Sequence, residues 1–237
     1  MSKSDPASLK REAALRALDY VTDGMKLGLG SGSTAEAFLD VLAPRVRDGL
    51  KIVGVPSSER TAERCRALGI PLGTLEELAP LDLDIDGADE TDRSLNLIKG
   101  GGGALLREKI VAASSKRFIV IADRSKLVRR LGKYALPIEV TAYGQSTTVA
   151  RIAETIAKLG YENVPIRRRE PNGTPFKTDS GNPIYDCAFG AIKNAAKLAA
   201  ALDGVTGVVD HGLFVGMASD LILAGPKGVE VINRRPA

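Results

Sequence analysis

The sequence predicts the α/β class: a Rossmann-like, mostly parallel sheet with helices on both faces, plus a smaller inserted α+β domain of ferredoxin-like type. Three observations carry this. Strand-like and helix-like segments alternate from about residue 26 to 122, the rhythm of a parallel sheet covered by helices. The rhythm breaks after Lys133, where short strands, helices and the turns PNGTP and DSGNP follow without it. The last part, VTGVVDHGLFVGMASDLILAG followed by VEVI, then returns to short buried strands that are expected to rejoin the first sheet. A chain of 237 residues can hold both units. Residues 1–132 and 204–237 form the expected sheet domain, and residues 133–203 the inserted one.

Element by element, Leu9, Ala13, Leu15 and Leu18 fall at helical spacing among charged residues, so 9–20 is an amphipathic opening helix. Residues 26–30 form a strand that runs into the Gly/Ser/Thr turn and helix of GLGSGSTAEAFLDVL. A second strand covers 52–56; Ser57 or Ser58 caps a helix to about Leu68, which Gly69 closes. Ile85 lies in a third strand and FIVIA, 118–122, is a fourth, with a helix over 104–113 between them. The inserted part holds LPIEV, a helix over 146–159, IYD and a helix over 191–202, and the end from Val231 is expected to fray. Ligands sit beyond the carboxyl ends of such parallel strands. Residues 30–34, Ser57, 86–89 and 123–126 all fall there.

Composition removes several classes of function. No apolar run approaches the roughly 18 residues of a membrane span, and the start, MSKSDPASLKREAAL, lacks the apolar core of a signal peptide, so the expected address is cytoplasmic. A net charge of +4, only 4% aromatic residues and basic residues scattered apart from Arg167, Arg168 and Arg169 give no nucleic-acid footprint. Cys65 and Cys187 support neither a disulfide framework nor a zinc site and are expected to be reduced and partly buried. With a single histidine, His211, acid–base work at neutral pH falls to carboxylates and lysines.

The chemistry concentrates between Leu81 and Ala113. Asp84, Asp86, Asp89 and Glu90 precede Lys99, four consecutive glycines and Glu108. Such a glycine run costs backbone entropy and marks a place where the main chain takes positive φ or lies close against something. The helix after it starts with free N–H groups there, suited to an anion or a developing negative charge. Lys99 and Glu108 alone would be a surface lysine and an exposed helix residue. Flanking the glycines, they suit removal of a proton next to a carbonyl, with a carboxylate as base and nearby donors holding the enediolate oxygen.

Two cofactor readings fail on spacing. GLGSGST lacks the third glycine of a dinucleotide fingerprint, and the next strand ends in Pro56-Ser57-Ser58 rather than an acidic residue. Its donors still suit a phosphate or sugar, although a bare helix start would look the same. Asp82, Asp84, Asp86 and Gly87 match the first half of a calcium loop, but its closing glutamate position is Arg93. Magnesium held by Asp86 and Asp89 is the remaining metal reading, and no nucleotide motif accompanies it.

The blocks GLGSGSTAEAF, VPSSERTAERCRALGIPL, DIDGADETD, LIKGGGGALLREKIVA, IADRSKLV, LGKYALPIEV and TDSGNPIYD resemble, in order, those of ribose-5-phosphate isomerase, type A. The resemblance spans nearly the whole chain. It implies a homodimer or homotetramer that interconverts ribose 5-phosphate and ribulose 5-phosphate in the non-oxidative pentose phosphate pathway through an enediol, without a cofactor. It implies Glu108 as general base, with Asp86, Asp89 and Lys99 serving ring opening, proton shuttling between oxygens and enediolate stabilisation. Ser31, Gly32, Ser33, Thr34, Asp86, Gly87, Ala88, Asp89, Lys99, Gly100, Gly101, Gly102 and Lys126 match its substrate-binding positions. The inserted domain serves assembly in that family, and residues 167–175 match nothing assigned. Two rivals share the scaffold: a sugar-phosphate sensor without a base, and an acyl-CoA transferase, which needs a glutamate nucleophile and a CoA pocket. A water-poor pocket would raise the pKa of Glu108, whereas Lys99 and the helix N-terminus would lower it.

Overall fold

The computed structural model describes residues 5–234. Helix α1 (Pro6–Leu18) leads into β1 (Lys26–Leu29), α2 (Ser33–Arg47), β2 (Val53–Pro56), α3 (Glu59–Leu68), the single turn α4 (Leu75–Leu78) and β3 (Leu83–Asp86). Short strands β4 (Glu90–Thr91) and β5 (Leu97–Ile98) precede α5 (Leu105–Ala113) and β6 (Phe118–Asp123). Then come β7 (Leu136–Val140), α6 (Gln145–Lys158), β8 (Ile166–Arg168), β9 (Ile184–Cys187), α7 (Ala195–Asp203) and β10 (Val208–His211). Strands β11 (Leu213–Phe214), β12 (Asp220–Gly225) and β13 (Gly228–Asn233) close the chain.

The main sheet has the order β13-β12-β6-β3-β1-β2 and is parallel except for the β12–β13 hairpin. Its strands alternate inside and out with the period of the pleat. Leu27, Leu29, Ile85, Ile119 and Ile121 face α1 and α2, where they join Phe38, Leu39 and Leu42. Each such buried side chain contributes roughly 1.5–3 kcal/mol. The opposite face packs on α5 through Val55, Leu81 and Val111, and through Phe118, Val120 and Ala112. Since Ile85 takes the first face, Asp84 and Asp86 are left on the α5 side.

The second sheet, β10-β7-β9-β8, is wholly antiparallel. Its β-α-β-β-α-β chain order and strand order 4-1-3-2 are those of a ferredoxin-like unit. Here an expectation is corrected: Val208–His211 does not return to the main sheet but pairs with β7 as the fourth strand of the second. A short buried run carries no information about which sheet edge it will meet. A second correction concerns the end: residues 231–233 do not fray, because β13 pairs with β12 from Gly228 to Asn233, while residues 235–237 lie outside the described residues. A three-stranded sheet, β11-β5-β4, links the two units.

Local signals hold well. Ser58 caps α3 by accepting from the Thr61 N–H at 3.1 Å, and Gly69 closes it in the left-handed region. Helix α7 starts later than expected because the Asn194 side chain caps it, and α1 starts earlier because Pro6 fits the first helical position. No helix among the described residues is long and apolar enough to cross a membrane.

Candidate active site

A cleft opens at the carboxyl ends of β1, β3 and β6. Ser31–Thr34 form one wall, Gly87–Asp89 the floor, Lys99–Gly102 and Glu108 the other wall, and Lys10 and Lys126 the mouth. Every residue expected in the site lines this cleft except Asp86, which is 1% exposed and stands behind Lys99.

The glycines explain how such a site is built. A Cβ on Gly28 would lie 2.6 Å from Asp84 Oδ1, and one on Gly30 would collide with Asp86. Gly28 in β1 and Gly30 just after it therefore make room for two aspartates of the neighbouring strand rather than for a dinucleotide. In the loop, Gly100 and Gly103 take positive φ (94° and 87°), and a Cβ on Gly101 would lie 2.5 Å from Asp89 Oδ1. At Gly102 a Cβ would meet nothing within 4 Å, so this backbone faces open space.

Lys99, at the end of β5, is the charged centre. Its ammonium donates to Asp86 Oδ2 at 2.7 Å and to the Gly87 carbonyl at 2.7 Å, and stands 3.5 Å from Glu108 Oε2. Asp86 Oδ1 accepts from the N–H groups of Ser31 (2.9 Å) and Gly87 (2.7 Å). Asp89 Oδ2 accepts from the Gly101 N–H at 2.8 Å. Glu108 lies on the first turn of α5, and its Oε2 has no hydrogen-bond partner among the described residues.

Burial and charge set the protonation states. Asp84, Asp86 and Glu108 share a buried layer with one ammonium, so the layer resists carrying all three negative charges. Burial pushes Glu108 up to about 8, against the pull of Lys99 and with help from Asp86. The sign left open by sequence is thus decided by desolvation. Burial, and then Asp86, holds Asp84 well above the ordinary aspartate value, and neither of its oxygens has a hydrogen-bond partner among the described residues. Burial also raises Asp86, but Lys99 and the two amides oppose it. Burial would lower Lys99; Asp86 and Glu108 outweigh it and hold the lysine above its usual value.

Three details escaped the sequence. Lys10, on α1, donates to Ser33 Oγ at 2.8 Å across the cleft mouth; its only sequence signal was a charged position on an amphipathic helix. Ser31 commits its hydroxyl to Ser57 (2.8 Å), Ser58 (2.8 Å) and Thr61 (3.1 Å), so its side chain braces the β2–α3 corner while its N–H holds Asp86. Glu90, grouped by sequence with Asp86 and Asp89, turns away and accepts from the N–H groups of Gly132 and Tyr134, each at 2.7 Å. His211 is buried outside the cleft, its Nδ1 accepting from the Leu213 N–H at 3.2 Å. Cys65 and Cys187 are free thiols, and both are fully buried rather than partly so.

A carboxylate with a near-neutral pKa beside a buried ammonium, at the ligand end of an α/β sheet, defines an enzyme that moves protons on a small polar substrate. Residues 53–228 match the family model described as ribose 5-phosphate isomerase A (phosphoriboisomerase A). The ribose-5-phosphate isomerase A of Nitrobacter hamburgensis is 56% identical over 231 residues, covering 96% of this chain and 98% of that protein. The solved ribose 5-phosphate isomerase from Plasmodium falciparum is 39% identical with a TM-score of 0.92, covering 97% of this chain and 100% of that one. A D-ribose-5-phosphate isomerase solved in complex with phospho-erythronic acid is 34% identical with a TM-score of 0.88, covering 99% and 100%. The chain belongs to the ribose 5-phosphate isomerase A family, whose members are aldose–ketose isomerases.

Proposed function

We propose that this chain interconverts D-ribose 5-phosphate and D-ribulose 5-phosphate, with Glu108 as the base that carries the proton between carbons 2 and 1. The observation that carries the reading is Glu108 itself: buried, without a hydrogen-bond partner at Oε2 among the described residues, raised to about 8, and 3.5 Å from a lysine fixed by other groups. Its carboxylate removes the C2 proton of the open-chain aldose, leaving a 1,2-enediolate, and returns the proton to C1 to give the ketose. Positioned carboxylates contribute about 10²–10⁴ in rate to such steps. Lys99 has two hydrogens engaged by Asp86 and Gly87, and its third is available to the enediolate oxygen. Asp86 keeps Lys99 charged and in place, while Asp89, at the cleft surface, serves ring opening and proton exchange between the sugar oxygens.

The phosphate binds at the start of α2. That helix has no side-chain cap, so its first N–H groups face the cleft beside Ser33 and Thr34, with Lys10 and Lys126 supplying charge. Gly32 and the Gly87–Ala88 and Gly100–Gly102 backbones line the sugar. The phospho-erythronic acid of the solved relative is a phosphorylated sugar acid, a chemistry that suits the same groups. The enzyme works without a metal or organic cofactor in the cytoplasm, as a homodimer or homotetramer assembled through the ferredoxin-like unit.

The test is formation of ribulose 5-phosphate by metal-stripped wild type and by Glu108→Gln, with sugar-phosphate affinity measured in parallel. Turnover by wild type, and a variant that binds but is at least about a hundredfold slower, support the reading. Binding without turnover by wild type would replace it with the sensor.

A further inference from the structure

Residues 167–175 had no assigned role, yet one of them reaches the glycine loop. We propose that Arg169, from the ferredoxin-like unit, is a positioning residue that sets the peptide groups of Gly100–Gly102 and, through them, Asp89. The proposal rests on the reading of that loop and Asp89 as part of the active site.

The Arg169 side chain is only 13% exposed. Its Nε and Nη2 donate to the two oxygens of Asp186 on β9, at 3.0 and 2.6 Å, a fork that fixes the guanidinium plane. The remaining Nη1 donates to the carbonyls of Gly100 (2.8 Å) and Gly101 (3.2 Å). The Gly100 carbonyl and the Gly101 N–H belong to one peptide group, and that N–H donates to Asp89 Oδ2 at 2.8 Å. A cation thus holds one end of a planar dipole and the Asp89 carboxylate the other, so each hydrogen bond strengthens its neighbour.

The next peptide is held at its carbonyl end only. Its carbonyl, that of Gly101, faces Arg169, and a trans peptide turns the Gly102 N–H to the opposite side. Gly102 lines the cleft with open space about it, so this N–H is a ready donor to a developing oxyanion. Phe176 secures the far end: its ring fills the place a Cβ on Gly103 would take, and its N–H donates to the Arg169 carbonyl at 3.0 Å. A run of glycines has the most backbone freedom to lose, and Arg169 and Phe176 restrain it together with Asp89 and the Gly103 N–H, which donates to the Gly100 carbonyl at 2.9 Å. Lysine cannot replace this arrangement, because it lacks the rigid fork.

The experiment compares Arg169→Ala and Arg169→Lys with Arg167→Ala, an exposed member of the same triplet, after all three are shown to fold. Both Arg169 variants are expected to lose about 10- to 100-fold in kcat with KM changed less than about threefold, and Arg167→Ala to match wild type. Added guanidinium ion should restore part of the kcat of Arg169→Ala but none of that of Glu108→Gln. Adding Arg169→Ala to Asp89→Asn should cost much less than it costs wild type. Unchanged kcat, or a loss without guanidinium rescue and fully additive with Asp89→Asn, overturns the proposal. If wild type itself does not isomerise the sugar, the proposed function fails, and the clamp is then judged alone by amide hydrogen exchange: faster exchange at Gly101 in Arg169→Ala supports it, and an unchanged rate overturns it.

Discussion

Two lysines lie near the same aromatic ring and meet different fates. Lys99 and Lys109 stand 5.6 and 5.1 Å from the centre of Phe214, and each is paired with an aspartate. Around Lys109 no buried carboxylate oxygen is left unpaired among the described residues: the lysine donates to Asp210 and the His211 carbonyl, and Asp210 also accepts from the His211 N–H at 2.6 Å. Around Lys99 the hydrogen bonding is open, with Asp86 satisfied but Glu108 Oε2 and both Asp84 oxygens without partners among the described residues. Leaving buried polar atoms unpaired costs stability. The first cluster ties α5 to the ferredoxin-like unit; the second holds free proton-accepting capacity beside a cleft.

The largest effect should come from removing that capacity. Glu108→Gln is expected to lower kcat by about 10²–10⁴, read by ribulose 5-phosphate formation, while Lys109→Met leaves kcat within about threefold of wild type. If Lys109→Met is as damaging to kcat as Glu108→Gln, the division between the clusters is wrong.

Removing the Lys99 ammonium tests the same contrast through stability. Lys99→Met strands Asp86 and Glu108 in the interior and should cost about 3–5 kcal/mol. Lys109→Met, at a partly exposed pair, should cost about 1 kcal/mol. Chemical denaturation of both variants measures the difference.

The pH dependence sharpens it further. If Glu108 is the base proposed above it must lose its proton to act, and since burial raises it to about 8, kcat/KM should rise through an acid limb near pH 8. An acid limb in the ordinary carboxylate range would mean that Lys99 outweighs burial.

The smallest effect concerns Asp84. Its folded pKa is raised, so the native state holds its proton more tightly than the unfolded chain does. Its contribution is fully present below the unfolded value and is lost as pH rises through the folded one. The melting temperature of Asp84→Asn relative to wild type should therefore climb as pH rises, and a difference that stays flat would show that Asp84 is ionised in the fold.

The sheet and the cleft were largely legible because their signals are local. Short apolar runs alternating with helical segments marked the strands, Ser57 or Ser58 and Gly69 marked the ends of α3, and the glycine run announced a backbone in need of freedom. Gly100 and Gly103 use that freedom as positive φ, and Gly101 as close approach to Asp89. Partners distant in sequence were not legible. Nothing local says that Val208–His211 will pair with β7, that Lys10 will reach Ser33, or that Arg169 will hold Gly100.

Sequence by itself determined the class of the fold, the order of its elements and the residue types gathered at the carboxyl ends of the strands, since these follow from periodicity, capping and glycine chemistry along a short stretch of chain. Tertiary structure alone decided which carboxylates became different from one another. Asp86 acquired an ammonium and two amides, Glu90 acquired the amides of Gly132 and Tyr134, and Glu108 was left buried beside that ammonium with no hydrogen-bond partner at Oε2 among the described residues. A carboxyl group's proton affinity depends on desolvation and on the charges within a few ångströms, and these are set by residues that only folding brings together.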